Sequence, residues 1–211
     1  MTNTIPAQDC ALCDRLVQFR RDNCVAHPTF HNAPVPSFGA LNARLLIVGL
    51  APGMKGANQT GRPFTGDYAG DLLYATLLRF GFAKGEYGLN AKDGLTLQDT
   101  RITNAVRCVP PKNKPIGVEV KNCRPFLTAE ISNMPNLKFI LGLGTLAHNS
   151  VLSALGLKQS SAKFSHGAFH NLGMPFILAN SYHCSRYNTN TGRLTEEMFS
   201  NVFAALKERL G

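Results

Sequence analysis

Four strand-like runs rich in apolar residues, Arg44 to Val48, Arg101 to Val106, Lys138 to Leu143 and Pro175 to Ala179, set the outline of the chain. Each ends in a polar, proline-rich or glycine-rich break. A strand covered on both faces reads as a continuous apolar run, the mark of a parallel sheet. Between and around these runs, helical patterning is predicted over Leu12 to Val25, residues 69 to 81, Val118 to Ile131, from Gly144-Thr145 through Leu155, and from Thr195 to Gly211. Strands alternating with helices predict a three-layer α/β/α sandwich around a central, mainly parallel sheet of about four strands. Residues 84 to 99 read as a surface loop. Residues 107 to 115 are expected to be irregular because prolines at 110, 111 and 115 interrupt them. With no repeat and no linker, a single domain over residues 1–211 is expected.

The break after the first strand is the most informative stretch. From Gly49 to Gly70 it carries glycines at 49, 53, 56, 61, 66 and 70, too long and too glycine-rich for a mere connector. Glycine allows positive φ and close backbone approach to a ligand, and open α/β sheets bind ligands at the carboxyl ends of their strands. Gly56 and Gly61 have the spacing of a phosphate-binding loop. Arg62-Pro63 stand where that loop needs Lys and Ser/Thr, so no nucleotide cofactor is expected. The loop does hold Phe64, a flat apolar face, and Asp67, a carboxylate placed either to act in chemistry or to cap the following helix.

Composition adds a partner. Lys and Arg number 22 against 13 Asp and Glu, a net charge of +9 that suits a polyanion such as nucleic acid. No run is long enough to span a membrane and the amino-terminal residues lack the pattern of a signal peptide, so a cytoplasmic protein is expected. In that compartment the six cysteines read as thiols or metal ligands rather than disulfides. Cys10 and Cys13 form a Cys-x-x-Cys pair, and Cys108 and Cys123 form a second. Four thiolates suit zinc or an iron–sulfur cluster, which spacing alone does not separate. Cys24 and Cys184 fit neither pair.

A second pole lies at Asn180 to Arg193, a polar loop on the same sheet edge, with His183 able to donate a hydrogen bond to developing negative charge. Asn104 closes the second strand with a donor and an acceptor on one planar amide, suited to a base edge.

The stretches APG, GANQTGRPFTGD and AG followed by LLY, with ITNAVRCVPPKNKP at 102 to 115 and SYHCSRYNTNTGRLTEEMF at 181 to 199, resemble motifs of the uracil-DNA glycosylase superfamily, family 5. The resemblance runs over nearly the whole chain. It implies a monofunctional DNA glycosylase that flips uracil, and other deaminated bases such as hypoxanthine and xanthine, out of duplex DNA and hydrolyses the N-glycosidic bond to leave an abasic site. It implies that Cys10, Cys13, Cys108 and Cys123 hold a structural 4Fe-4S cluster. Phe64 would stack on the flipped base, Asn104 would read it, and Gly49, Ala51 and Gly53 would line it. His183 would stabilise the leaving base. Leu50 replaces the acidic or amide residue that other families place after the first glycine, and the resemblance gives Asp67 the catalytic part instead. Ser185, Arg186 and Tyr187 would enter or line the DNA, and Lys112, Lys114 and Arg193 would meet backbone phosphates. A monomer is expected. The rival from another class is a non-catalytic iron–sulfur DNA-binding or damage-sensing module.

Overall fold

The computed structural model describes residues 4–211; the first three residues of the expected 1–211 domain lie outside the described part. The central sheet has five strands in the order β4-β1-β5-β7-β6, where β1 is Leu45–Gly49, β4 Thr100–Asn104, β5 Phe139–Leu143, β6 Phe169–Asn171 and β7 Ile177–Ser181. β4, β1, β5 and β7 are mutually parallel, and β6 runs antiparallel along the outer edge of β7. The four apolar runs thus become the parallel strands. β6 is an addition to the expected sheet. Its three residues are at least partly exposed and include His170 and Asn171, so no apolar run announces it. A two-stranded hairpin, β2 (Ala83–Lys84) with β3 (Thr96–Leu97), also replaces part of the expected 84 to 99 loop.

Strand periodicity divides the core. Leu45 and Ile47 point to one face, against α3 (Tyr68–Arg79) and α7 (Glu196–Leu210), where Leu73, Leu77, Phe199 and Phe203 are fully buried. Leu46 and Val48 point to the other, toward α4 (Gly117–Ser132) and α5 (Thr145–Ala154), with Leu127 and Val151. At about 25 cal/mol per Å² of apolar surface, these two layers supply the main drive to fold. A third, small cluster sits under α1 (Asp14–Ala26), where Leu16, Val106 and Cys123 meet. Short helices α2 (Ala57–Thr60) and α6 (Arg186–Asn190) lie inside the two polar loops, and Pro111–Asn113 form a single 3-10 turn. No helix among the described residues is long and apolar enough to cross a membrane.

Candidate active site

Because the four core strands are parallel, their carboxyl ends share one edge, and a cleft of about 650 Å³ opens there. Ala51, Gly53, Phe64, Asp67, Asn104, His183, Ser185 and Arg186, all singled out in the sequence, line it, as do Lys55, Tyr68 and Asn113. Gly49 pairs in register with Asn104 at the floor. A Cβ at Gly49 would collide with both the Asn104 amide oxygen and the Phe64 ring, so glycine here lets the stacking face and the amide stand side by side. Asn104 lines the cleft, and its Oδ1, packed against Gly49, is buried without a hydrogen-bond partner among the described residues.

Phe64 holds a left-handed backbone, φ +53°, which is costly for an aromatic residue and requires bracing. The bracing comes from the loop around it. Thr60 Oγ1 donates to the carbonyl of Thr65 at 3.0 Å, Tyr74 donates to that of Pro63 at 2.7 Å, and Tyr87 donates to that of Phe64 at 3.3 Å while accepting from Gly66 N at 3.1 Å. Arg62 makes a bidentate pair with Asp93 at 2.8 and 2.6 Å, with both side chains nearly buried. The Arg62 guanidinium also packs over Phe38, Tyr74 and Tyr87. Its hydrogen bonds hold the Asp93 carboxyl down at about 2. Thr60, Arg62 and Tyr74 lie within the GANQTGRPFTGD and LLY stretches, whereas Tyr87 and Asp93 lie in the stretch expected to be plain surface loop.

Asp67 is the N-cap of α3, its Oδ1 accepting from Gly70 N at 3.1 Å. Its other oxygen faces Gly53 and Gly56, where any Cβ would crowd it. Burial raises its pKa from the ordinary carboxylate value, against the pull of the backbone N–H groups. Asp67 therefore caps α3 while its carboxyl also lines the cleft.

His183 stacks beside Phe64, ring centroids 5.9 Å apart. Desolvation lowers its pKa to about 4, so the imidazole is neutral near pH 7 and presents an N–H without a charge. Asn188 donates to its carbonyl at 2.8 Å, and Ser185 caps α6, so the turn that carries His183 is fixed from both sides.

The remaining sequence candidates stand around the cleft, not in it. Tyr187 is 73% exposed on α6. Lys112 and Lys114 are exposed on the turn that brings Asn113 to the rim. Arg193 stacks on Tyr182 and lines a neighbouring hollow that shares Leu50 and His183.

Cys10, Cys13, Cys108 and Cys123 all line one small apolar cavity between α1, the 105–116 loop and α4. Among the described residues, no group of three or more His, Cys, Asp or Glu is arranged as a ready ligand set for a metal ion. The donor chemistry is nonetheless that of a thiolate site. Arg20 Nη1 donates to Cys108 Sγ at 3.6 Å, Arg107 N to Cys123 Sγ at 3.3 Å and Asn122 to Cys13 Sγ at 3.7 Å. As free thiols, Cys13, Cys108 and Cys123 are raised by burial, Cys108 to about 12, a cost that a bound cation would remove. Cys24 is exposed and Cys184 buried against α3, both apart from this cavity.

The carboxyl edge of the parallel sheet thus brings an aromatic face, a buried unpartnered amide oxygen and a neutral histidine into one cleft. The profile of the Uracil DNA glycosylase superfamily matches residues 36–207. The chain is 42% identical over 207 residues to the type-5 uracil-DNA glycosylase of Thermus thermophilus, an alignment that spans 96% of this chain and 94% of that protein. It is 40% identical to the type-5 uracil-DNA glycosylase of Mycobacterium tuberculosis (96% and 78%) and 29% identical to a type-4 uracil-DNA glycosylase of Saccharolobus solfataricus (85% and 79%). The chain belongs to the uracil-DNA glycosylase superfamily and, within it, to the type-5 family of enzymes.

Proposed function

We propose that the protein is a monofunctional DNA glycosylase that removes uracil, and other deaminated bases such as hypoxanthine and xanthine, from duplex DNA. The observation that carries this reading is the buried, unpartnered Oδ1 of Asn104 beside the Phe64 ring. A base extruded from the stack costs a few kcal/mol, and stacking on Phe64 would return about 1–3 kcal/mol. Asn104 would then accept from the ring N–H of uracil through its unpartnered oxygen. His183, neutral, donates to the base carbonyl as negative charge gathers there on bond cleavage. Asp67, desolvated and held between two glycines, faces the sugar, where it stabilises positive charge or takes a proton from the attacking water.

Lys112, Lys114 and Arg193 meet phosphates, while Ser185, Arg186 and Tyr187 approach the strand that carries the target. The four cysteines around the cavity would hold a 4Fe-4S cluster. Such a cluster is wider than a single ion and suits thiols that ring a space rather than meet at a point. When bound, it cross-links α1, the 105–116 loop and α4, a structural part. We place the protein in the cytoplasm as a monomeric single domain over 1–211.

Single-turnover base release from matched duplexes bearing one uracil, one hypoxanthine or neither tests the reading. Release from the uracil duplex that His183→Ala cripples supports it, and release of hypoxanthine extends it to deaminated purines. Tight binding with no release from any duplex would favour the non-catalytic DNA-binding module instead.

A further inference from the structure

The β2–β3 hairpin carries residues 85 to 95 against Gly66 and Phe64, two cleft-lining residues. Its base is tied to the cleft loop by Tyr87 and by the Arg62–Asp93 pair. Its tip is built to hold one shape. Asp93 accepts from Gly88 N and Leu95 N, both at 3.0 Å, and Asn90 donates to the carbonyl of Gly88 at 2.8 Å while accepting from Lys92 N at 2.9 Å. This frame displays Leu89. The side chain is 52% exposed, the backbone is left-handed at φ +60°, and its carbonyl abuts Gly66, which lines the cleft. A branched side chain is disfavoured at positive φ, and exposed leucine gains nothing from burial. A rigid frame that imposes both at the rim of a site is the kind of strain found where a protein meets its ligand.

We propose that Leu89 inserts into duplex DNA at the step unstacked by the extruded nucleotide, an apolar wedge delivered by the hairpin and distinct from the Ser185–Tyr187 segment. This rests on the reading of the cleft as the site of a flipped base. Apolar side chains placed between base steps hold a local opening that the duplex would otherwise close.

The test compares single-turnover release of uracil from a fully paired duplex with release from a duplex in which the same uracil lies in an unpaired bubble, for wild type, Leu89→Ala and Leu89→Gly. Both variants are expected to lose about tenfold on the paired duplex, where the opening must be held, and to keep the wild-type rate on the bubble. Leu89→Gly is also expected to melt no lower than wild type, because glycine accepts this backbone freely. Equal losses on both substrates would make Leu89 part of the cleft frame and overturn the proposal, as would an unchanged rate on the paired duplex. If wild type released no base from either substrate, the glycosylase reading itself would fall and this proposal with it.

Discussion

The cleft loop and the cysteine lobe sit on neighbouring parts of the same sheet edge and are held together by opposite means. The cleft loop is cross-braced by hydrogen bonds and the Arg62–Asp93 pair, and it rests on the larger apolar layer that includes Phe64, Leu73 and Tyr74. The cysteine lobe has only Leu16, Val106 and Cys123 as its buried apolar cluster among the described residues, with the bidentate Arg15–Glu119 pair joining α1 to α4. A segment with so little core needs another source of cohesion, and small folds commonly take it from a metal. Where side chains are plentiful, the cleft tolerates a buried acceptor without a partner, Asn104 Oδ1; where they are few, four thiols line a small cavity.

The largest effect expected is on chemistry in the braced region. Asp67→Asn should lower single-turnover release by about 10²–10⁴-fold, the usual worth of general acid–base help. It should leave melting temperature unchanged or higher, because asparagine caps a helix as well as aspartate does and carries no buried charge. Loss of activity together with unfolding would mean that the cap, not the carboxylate, matters. In the lobe, Cys123→Ser should abolish iron incorporation and open the segment around residues 107 to 123 to protease while the sheet resists. Unchanged iron content would remove Cys123 from the ligand set.

Next in size is Asp93→Asn, which strands the buried Arg62 guanidinium. A broken buried pair costs about 3–5 kcal/mol, seen as a lower denaturation midpoint with the lobe's protease pattern unchanged. The smallest effect is on pH dependence. His183 folds with its pKa lowered to about 4 from an ordinary 6.5, so its contribution to stability is complete above that ordinary value and is lost as pH falls toward 4. Asp93, lowered from 3.8 to about 2, contributes fully above its ordinary value and loses its part only as pH falls further, toward 2. His166 and His170, also lowered by burial, lose stability over the same upper range, so His183→Ala should shrink that acid decline without abolishing it and leave the carboxylate decline in place.

Most of the frame was legible because its signals are local. The four parallel strands appear as apolar runs, and the motif glycines, Phe64, Asp67, Asn104 and His183 converge because parallel strands end on one edge. The strand boundaries moved by one or two residues; the fourth, expected from Pro175, forms over Ile177–Ser181. What could not be read depends on distant partners. Tyr87 and Asp93 lie in polar sequence that looks like any surface loop, and only the fold brings them to Gly66 and Arg62. Asn113 reaches the cleft because two consecutive residues, Lys112 and Asn113, take φ of +55°, a conformation the proline-rich run did not foretell.

The register of the sheet also governs when the protein becomes competent during its synthesis. β1 and its glycine loop leave the ribosome early, but β7, which carries the chain to His183, docks beside β5 only after residue 181 has been made. Pairing between strands so far apart in sequence is slow to form. A nascent chain halted before that point has the stacking ring and the capping carboxylate but not the imidazole. Such a chain also lacks α7, whose Phe199 and Phe203 complete one apolar layer, so cleft and core are finished together at the end of synthesis.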